Sequence, residues 1–237
     1  MQNKRLQLFV FPYAGGSIAA FRKLTDLIDD RVDVVTVEYA GRGTRAHETL
    51  SDSFESQLED AIEYCRKRRE DNVPYALLGY SMGSVIAYEI AARHCIPGKM
   101  VHLFVAAEVS PKDRAMELRR VSNPTDDRIL QRAKQLGGIN DRMLGNKRFE
   151  EIFIMPMLSD YRHFFEYRFT GHEDKVESDA TVFYCETDTP FHAVEKWSEL
   201  IAGRFDFHEI GENHFFINRH YEEMARIING HLNEYIQ

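Results

Sequence analysis

The chain has 237 residues, of which 43% are hydrophobic, 12% aromatic and 29% charged. That length suits one α/β domain, and the aromatic content argues against a disordered chain. The formal net charge of −8 argues against a nucleic-acid-binding protein, which would present a basic face. No run approaches the roughly 20 apolar residues that cross a bilayer, and the start lacks a secretory h-region. We therefore expect a cytoplasmic monomer that binds neither nucleic acid nor membrane.

Six short runs rich in β-branched and aromatic residues alternate with helical patterns. The runs cover residues 6–11, 32–37, 75–79, 102–106, 180–185 and 205–210. Between the first two runs, Phe21, Leu24, Leu27 and Ile28 keep the i, i+3, i+4 spacing of an amphipathic helix, and later gaps repeat this pattern. Strands that alternate with helices predict βαβ units and a mostly parallel sheet. We therefore expect a single α/β domain over residues 1–237.

The alternation stops at residues 111–170, which contain no convincing strand. This segment is helical at first and becomes dense in aromatic and apolar residues from Phe149 to Phe169. Long insertions in compact domains are usually functional, and ligands bind at the carboxyl edge of open α/β sheets. We interpret residues 111–170 as a helical lid insertion over that edge, called the lid segment below. Extra core helices without a gating role are the alternative.

The lid segment carries an excess of positive charge over its first forty residues. Residues 111–150 hold six acids and ten bases, so their net charge is +4 and the remainder of the chain carries −12. The bases are Lys112, Arg114, Arg119, Arg120, Arg128, Arg132, Lys134, Arg142, Lys147 and Arg148. Such a segment is either a solvated helical surface or a docking surface for an acidic partner.

A nucleophile motif follows the third predicted strand. Residues 79–83 read Gly-Tyr-Ser-Met-Gly, a G-x-S-x-G pattern between a buried strand and a helix that starts near Ser84. This is the setting of a nucleophile elbow, where a strained turn exposes the serine hydroxyl above the sheet. We therefore predict an α/β-hydrolase fold with Ser81 as the nucleophile.

A serine nucleophile needs a base, and the chain order in this fold is serine, acid, histidine. His214 lies in a loop after the last predicted strand, which makes it the best of ten histidines for the base. Asp188 follows the preceding predicted strand and precedes His214 by 26 residues (214 − 188). We predict that Asp188 orients the imidazole. Glu108, at the end of another strand, is the main rival, and a helix cap near Pro190 is the other reading of Asp188.

Two backbone N–H groups should stabilise the oxyanion of the reaction. One should come from Met82, directly after the nucleophile. The other should come from the loop 11–17, Phe-Pro-Tyr-Ala-Gly-Gly-Ser, in which Ala14 is the candidate donor. The loop lacks the patterns of phosphate-binding loops, so we expect no nucleotide there.

No cofactor or metal site is predicted. Cys65, Cys95 and Cys185 form no C-x-x-C pair, and we expect three reduced thiols rather than a zinc site or disulfides. No cluster of His, Asp and Cys shows ligand spacing, which argues against a metallohydrolase.

Taken together, the motifs resemble the type II thioesterases that accompany nonribosomal peptide and polyketide synthases. The resemblance covers nearly the whole chain and rests on F-P-Y-A-G-G-S at 11–17, A-G-R-G at 40–43, G-Y-S-M-G at 79–83, L-G-G at 136–138 and H-F-F at 214–216. Trp197, nine residues after Asp188, also fits the family. The chain departs from the family at Ala40, Tyr80 and Glu212-Asn213, where Pro, His and Gly-Gly are usual.

The resemblance implies an editing thioesterase that removes acyl groups from the phosphopantetheine arm of carrier proteins, by an acyl intermediate on Ser81. Such enzymes are also similar to the medium-chain thioesterase of fatty acid synthesis. The expected partner is an acyl or peptidyl carrier protein, which is generally acidic and would suit the basic lid segment. The prosthetic arm belongs to that partner, so the enzyme itself needs no cofactor.

Two other functions stay open from the sequence. An oxyester hydrolase would use the same triad on the same fold. A catalytically idle scaffold that binds a carrier domain would be recognised by its failure to react with a fluorophosphonate probe. Fold analogy alone decides neither, so the thioesterase interpretation depends on the motif set.

Overall fold

A computed structural model describes residues 5–120, 124–140, 143–172 and 174–236. Its centre is a six-stranded sheet in the order β2-β1-β3-β4-β5-β6, in which every pair of neighbours is parallel. The strands are β1 (Leu6–Phe11), β2 (Val32–Thr36), β3 (Tyr75–Tyr80), β4 (Met100–Ala106), β5 (Asp179–Tyr184) and β6 (Phe205–Glu209). The predicted α/β-hydrolase architecture, a parallel sheet flanked by helices, is confirmed.

Nine α-helices accompany the sheet in the described ranges. They are α1 (Ile18–Thr25), α2 (Phe54–Arg66), α3 (Met82–Ala92), α4 (Pro111–Arg120), α5 (Asp126–Gln135), α6 (Lys147–Phe149), α7 (Met155–Phe164), α8 (Phe191–Val194) and α9 (Ile217–Asn233). A π-helical turn (Glu150–Ile154) joins α6 to α7, and short 3₁₀ turns lie at Gly43–Arg45 and Glu195–Glu199.

Helices cover both faces of the sheet. One hydrophobic cluster joins α2, α3 and Trp197 to one face, and a second joins α1 and α9 to the other. The central strands β1 and β3 are buried along their whole length. Strands covered on both faces are apolar at most positions rather than at alternate ones, which explains why these runs were recognisable in the sequence.

All six strands begin and end within two residues of the predicted runs. The first predicted helix is wrong at its end, because α1 ends at Thr25 and Leu27 lies beyond it with 43% of its surface exposed. Only Phe21 and Leu24 of α1 itself are buried. Ile28 is also buried, but it packs from the turn that leads into β2.

The lid segment is helical as predicted. Between β4 and β5, the described residues form α4 to α7 and no strand of the sheet. A small hydrophobic cluster of its own joins α5 to α7 through Ile129, Ala133, Ile154 and Met157. Within the described ranges, no helix combines the length and the apolarity needed to cross a membrane.

The first turn of α3 packs directly on the end of β1, and this contact yields a stability test. A Cβ added at Gly83 would lie 2.0 Å from the carbonyl oxygen of Phe11. We expect Gly83→Ala to lower the free energy of unfolding by about 1–3 kcal/mol, as overpacking does. Gly230→Ala in α9 is the control, since its Cβ would contact nothing within 4 Å and should raise stability by about 0.5–1 kcal/mol. Urea unfolding measures both, and a Gly83→Ala protein of unchanged stability would contradict the packing argument.

Candidate active site

Ser81 lies in a strained turn between β3 and α3. Its backbone has φ 53° and ψ −124°, a conformation that a residue with a side chain rarely adopts. Hydrogen bonds hold the turn: the Ser81 N–H donates to the Ala106 carbonyl at 2.8 Å, and the Ser84 N–H donates to the Ser81 carbonyl at 2.8 Å. The serine hydroxyl is thereby presented at the carboxyl edge of the sheet and at the N-terminus of α3, as the G-x-S-x-G pattern predicts.

The structure brings Ser81, His214 and Asp188 into one hydrogen-bonded row. His214 Nε2 lies 3.1 Å from Ser81 Oγ, and His214 Nδ1 lies 2.6 Å from Asp188 Oδ2. With the proton on Nδ1 donated to Asp188, Nε2 is free to accept the proton of the serine hydroxyl. The side chains of His214 and Asp188 are 7% and 10% exposed, so water competes little for these bonds.

Asp188 is the acid next to the histidine, and Glu108 has a different partner. Glu108 is buried and forms an ion pair with Arg114 at the start of the lid segment. The helix at Pro190 is capped by Glu186, which accepts from the Phe191 N–H at 3.0 Å, so Asp188 is free of that role.

The charge of Asp188 is stabilised by its neighbours. Burial alone would raise the pKa of Asp188, but the hydrogen bond and charge of His214, with the charges of Arg132 and Arg114, hold it below its ordinary value. Asp188 is therefore ionised at neutral pH and can stabilise an imidazolium on His214.

Tyr80 occupies a position at which the family that the chain resembles usually has His, and it holds the loop that carries His214. Its hydroxyl donates to the His214 carbonyl at 2.7 Å and accepts from the Ile217 N–H at 3.3 Å. Burial raises the pKa of Tyr80 well above its usual value, so the phenol stays protonated. Asn213 also fits, because its Oδ1 accepts from the Phe215 N–H at 3.0 Å within the loop. These departures from the family pattern therefore support the loop that carries His214.

The two predicted oxyanion donors, Ala14 and Met82, line the same cavity as Ser81. Met82 is the first residue of α3, where the helix N-terminus leaves N–H groups without intrahelical acceptors. Within the described ranges, no hydrogen bond occupies either of these N–H groups. They can therefore donate to a developing oxyanion, and the helix dipole of α3 adds to the stabilisation.

The loop 11–17, which carries Ala14 and is called the oxyanion loop below after its predicted role, is anchored by a buried ion pair that the sequence did not predict. Asp160 of α7 accepts from the Gly15 N–H at 2.7 Å and from Arg42 Nη2 at 2.7 Å, and Gln57 adds a further hydrogen bond. The Arg42 and Asp160 side chains are 2% and 3% exposed. Burial alone would lower the pKa of Arg42, but Asp160 raises it, so the guanidinium stays charged.

Two neighbours of Arg42 fix the ends of the same loop. The Tyr39 hydroxyl donates to the Pro12 carbonyl at 3.2 Å, and buried Glu38 accepts from the Ile18 N–H at 3.0 Å. The A-G-R-G motif at 40–43 thus follows a segment that holds the oxyanion loop. No local sequence pattern reveals these contacts, because two of them join residues 20 and 27 positions apart and Asp160 lies 118 positions from Arg42.

A cavity of about 490 Å³ opens above Ser81 and His214. The lid segment, chiefly α4, α5 and α7, supplies about half of its lining residues, and the wall is more apolar than polar. Its apolar lining side chains include Val109, Leu118, Ile129, Leu136, Tyr161, Phe164 and Phe165. Three lid arginines line the cavity. Arg114 pairs with Glu108, Arg132 lies 3.8 Å from Asp188, and Arg128 is exposed. The cavity can hold an acyl chain whose carbonyl lies at Ser81.

The basic lid residues divide into two groups. Lys112, Arg114, Arg132 and Lys147 form ion pairs with nearby acids. In contrast, Arg119, Arg120, Arg128 and Arg148 are exposed and form no ion pair with another described residue. Lys134 also has a partner, and Arg142 lies outside the described residues. The unpaired group is available to an acidic partner.

Residues 6–232 match a protein-family model described as thioesterase domain. The chain belongs to the thioesterase domain family. This membership confirms the resemblance carried by the motifs, and it makes the protein a thioester hydrolase by family. The three free cysteines, two of them buried, are consistent with the expected reduced thiols.

Individual relatives align with nearly the whole chain, as the family model does. GrsT, a gramicidin S biosynthesis protein of Aneurinibacillus migulanus, is 25% identical over 228 residues, which cover 94% of this chain and 88% of GrsT. Phenyloxazoline synthase MbtB of Mycobacterium tuberculosis is 26% identical over 231 residues, or 93% of this chain but 16% of that synthase. Among solved structures, RedJ, a thioesterase from the prodiginine pathway of Streptomyces coelicolor, superposes with a TM-score of 0.81 at 28% identity, covering 96% of this chain and 85% of RedJ.

The anchor of the oxyanion loop generates a prediction. Asp160→Asn leaves Arg42 without its counter-charge in a buried site, which costs about 3–5 kcal/mol of stability, and it loosens Gly15. We expect kcat for thioester hydrolysis to fall roughly tenfold to a hundredfold, because small displacements of catalytic groups have effects of that size. KM should change little, since the oxyanion donors act mainly in the transition state. Steady-state kinetics well below the melting temperature measures this.

Asp126→Asn is the matched control. Asp126 of α5 pairs with Arg162 of α7, the helix that also carries Asp160. Both side chains are about half exposed, and such surface pairs contribute at most about 1 kcal/mol. Its kinetics should match those of the wild type. A folded Asp160→Asn protein with wild-type kcat would show that Asp160 supports the fold alone.

Proposed function

We propose that the protein is a type II thioesterase that hydrolyses acyl groups from phosphopantetheinyl carrier proteins, with Ser81, His214 and Asp188 as its catalytic triad. The observation that carries the proposal is the hydrogen-bonded row of these three side chains under an acyl-sized cavity, in a chain of the thioesterase family. The relatives GrsT and RedJ support the biosynthetic setting, because both are named for pathways of assembled natural products.

The first half of the reaction forms an acyl-enzyme. Ser81 Oγ attacks the thioester carbonyl while His214 Nε2 takes the hydroxyl proton. The carbonyl oxygen becomes an oxyanion, which the N–H groups of Ala14 and Met82 bind. When the C–S bond breaks, His214 returns the proton to the leaving thiolate of the phosphopantetheine arm. Asp188 stabilises the imidazolium in between.

The second half releases the acid. Water loses a proton to His214 Nε2 and attacks the acyl carbonyl on Ser81, and the ester bond then breaks with return of the proton to Ser81 Oγ. The apolar wall of the cavity holds the acyl chain during both steps. No cofactor enters this scheme, because the pantetheine thiol is part of the substrate.

The lid segment is the proposed docking surface and gate. Its exposed arginines, Arg119, Arg120, Arg128 and Arg148, lie on a chain whose overall charge is −8. An acidic carrier protein would be repelled by most of such a surface and attracted to this part of it. The lid helices also line the cavity, so a carrier bound there could deliver its prosthetic arm to Ser81.

The catalytic assignment predicts the loss of turnover in two variants. Ser81→Ala removes the nucleophile and His214→Ala removes its base, so each should lower kcat by on the order of 10³ or more. The assay measures the release of acetyl and longer acyl groups from a phosphopantetheinyl carrier protein and, in parallel, the hydrolysis of a p-nitrophenyl ester. Near-normal hydrolysis by Ser81→Ala would contradict the assignment of the nucleophile.

The same assay separates the two alternatives. Faster Ser81-dependent release from the carrier than from the ester supports the thioesterase. Ester cleavage without carrier activity would favour a carboxylesterase. An idle scaffold would hydrolyse neither substrate, and its Ser81 would not react with a fluorophosphonate probe.

The docking proposal predicts a change that depends on the substrate. Arg119→Glu combined with Arg120→Glu reverses two exposed charges at the end of α4, so an acidic carrier protein should bind less well. We expect kcat/KM for the acylated carrier to fall roughly tenfold at low salt and less at high salt, because salt screens such interactions. A small acyl thioester should be hydrolysed as by the wild type.

Lys67→Glu combined with Lys99→Glu is the matched control. It reverses two exposed charges outside the lid segment, at the end of α2 and before β4. Carrier hydrolysis should change far less in this variant than in the α4 variant. Equal losses on carrier and small thioester in the α4 variant would point to damage to the cavity rather than to docking.

A further inference from the structure

A cluster of three potential metal ligands lies outside the catalytic site. Asp206 and His208 belong to β6, which is the edge strand of the sheet, and His231 belongs to α9. One ligand atom from each residue lies within 4.8 Å of the other two. No local sequence pattern marks this cluster, because His231 is 23 positions from His208 and only the Asp-x-His pair is local.

The fold explains why the three side chains converge. Alternate residues of a strand point to the same face, so Asp206 and His208 project together while Phe205 and Phe207 project to the other face. Phe207 accordingly packs against Phe191, on the face away from α9. His231 lies in the last turn of α9, and its Nε2 is 3.3 Å from Asp206 Oδ2.

Neighbouring rings restrict both imidazoles. His231 packs against the buried ring of His102, with the ring centroids 4.9 Å apart, and His208 packs against Phe183 at 5.9 Å. The Nε2 atom of His208 is buried and has no hydrogen-bond partner among the described residues. A buried polar atom without a partner costs free energy, and a bound cation would satisfy it.

We propose that Asp206, His208 and His231 form a binding site for a divalent transition-metal ion such as Zn²⁺. Two imidazoles and one carboxylate suit this class of ion, whereas Mg²⁺ and Ca²⁺ prefer oxygen ligands alone. Bonds of about 2.0–2.2 Å place tetrahedral ligand atoms about 3.3 Å apart, which is the distance already present between Asp206 and His231. The remaining contacts need an approach of at most about 1.5 Å (4.8 − 3.3).

The site would have a structural effect. A metal bound by β6 and α9 clips the C-terminal helix to the edge strand, and it binds only the folded chain, so it stabilises that state by mass action. Two further charges of α9 act on the pKa of His208: Arg226 lowers it and Glu223 raises it. The proposal is independent of the catalytic assignment.

The test is calorimetric titration of Zn²⁺ into the untagged protein after removal of metals with a chelator. We expect one equivalent to bind, and the melting temperature to rise by roughly 5–10 °C at a hundredfold excess over Kd. His208→Ala and His231→Ala should each weaken this binding at least tenfold and abolish the rise. His220→Ala, which changes a partly exposed histidine of the same helix, should retain both.

Two outcomes would overturn the proposal. Zn²⁺ binding that is absent or weaker than millimolar would leave Asp206 and His231 as a plain ion pair. Binding that is unchanged in His208→Ala and His231→Ala would place the metal elsewhere. Co²⁺ gives a second readout, because tetrahedral coordination produces intense visible absorption that the two variants should lose.

Discussion

The buried ion pair between Arg42 and Asp160 is the constraint on which the geometry of the active site depends. Removing two charges from water is costly, and their attraction offsets that cost only when the contact is close and further hydrogen bonds complete it. Here the contact is bidentate, and Gly15 and Gln57 supply the further bonds. The pair joins the segment after β2, the oxyanion loop and lid helix α7. The position of Ala14 is therefore coupled to the position of the lid.

One neutral side chain, that of Tyr80, holds the loop that carries His214 in a comparable way. Tyr80 precedes Ser81, and its buried hydroxyl bonds the backbone at His214 and at Ile217. The strained φ of Ser81 persists because the surrounding hydrogen bonds over-determine it. Since Tyr80 and Ser81 are adjacent, the same strand end fixes Ser81 and the loop that carries His214.

The features that were predictable from the sequence are those encoded locally. The apolar runs located every strand, and the G-x-S-x-G pattern with the chain-order rule led to Ser81, His214 and Asp188. The end of α1 was predicted wrongly, because Leu27 continues the helical spacing although the backbone has already turned toward β2. Asp160 lies in a lid helix far from Arg42 in sequence, so only the folded chain reveals its role. His231 escaped notice for the same reason.

The strengths of the lid contacts indicate where the cavity would open at the lowest cost. Helix α7 is held by the fully buried pair of Asp160 and Arg42, and separating that pair would leave a charge in an apolar environment. Helix α5 is held near the site by Arg132, which is 56% exposed and lies 3.8 Å from Asp188. A contact of that kind contributes at most about 1 kcal/mol, because water replaces it readily. Outward movement of α5 therefore loses little at Arg132, but it must also separate Ile129 and Ala133 from Ile154 and Met157 in the buried cluster that joins α5 to α7.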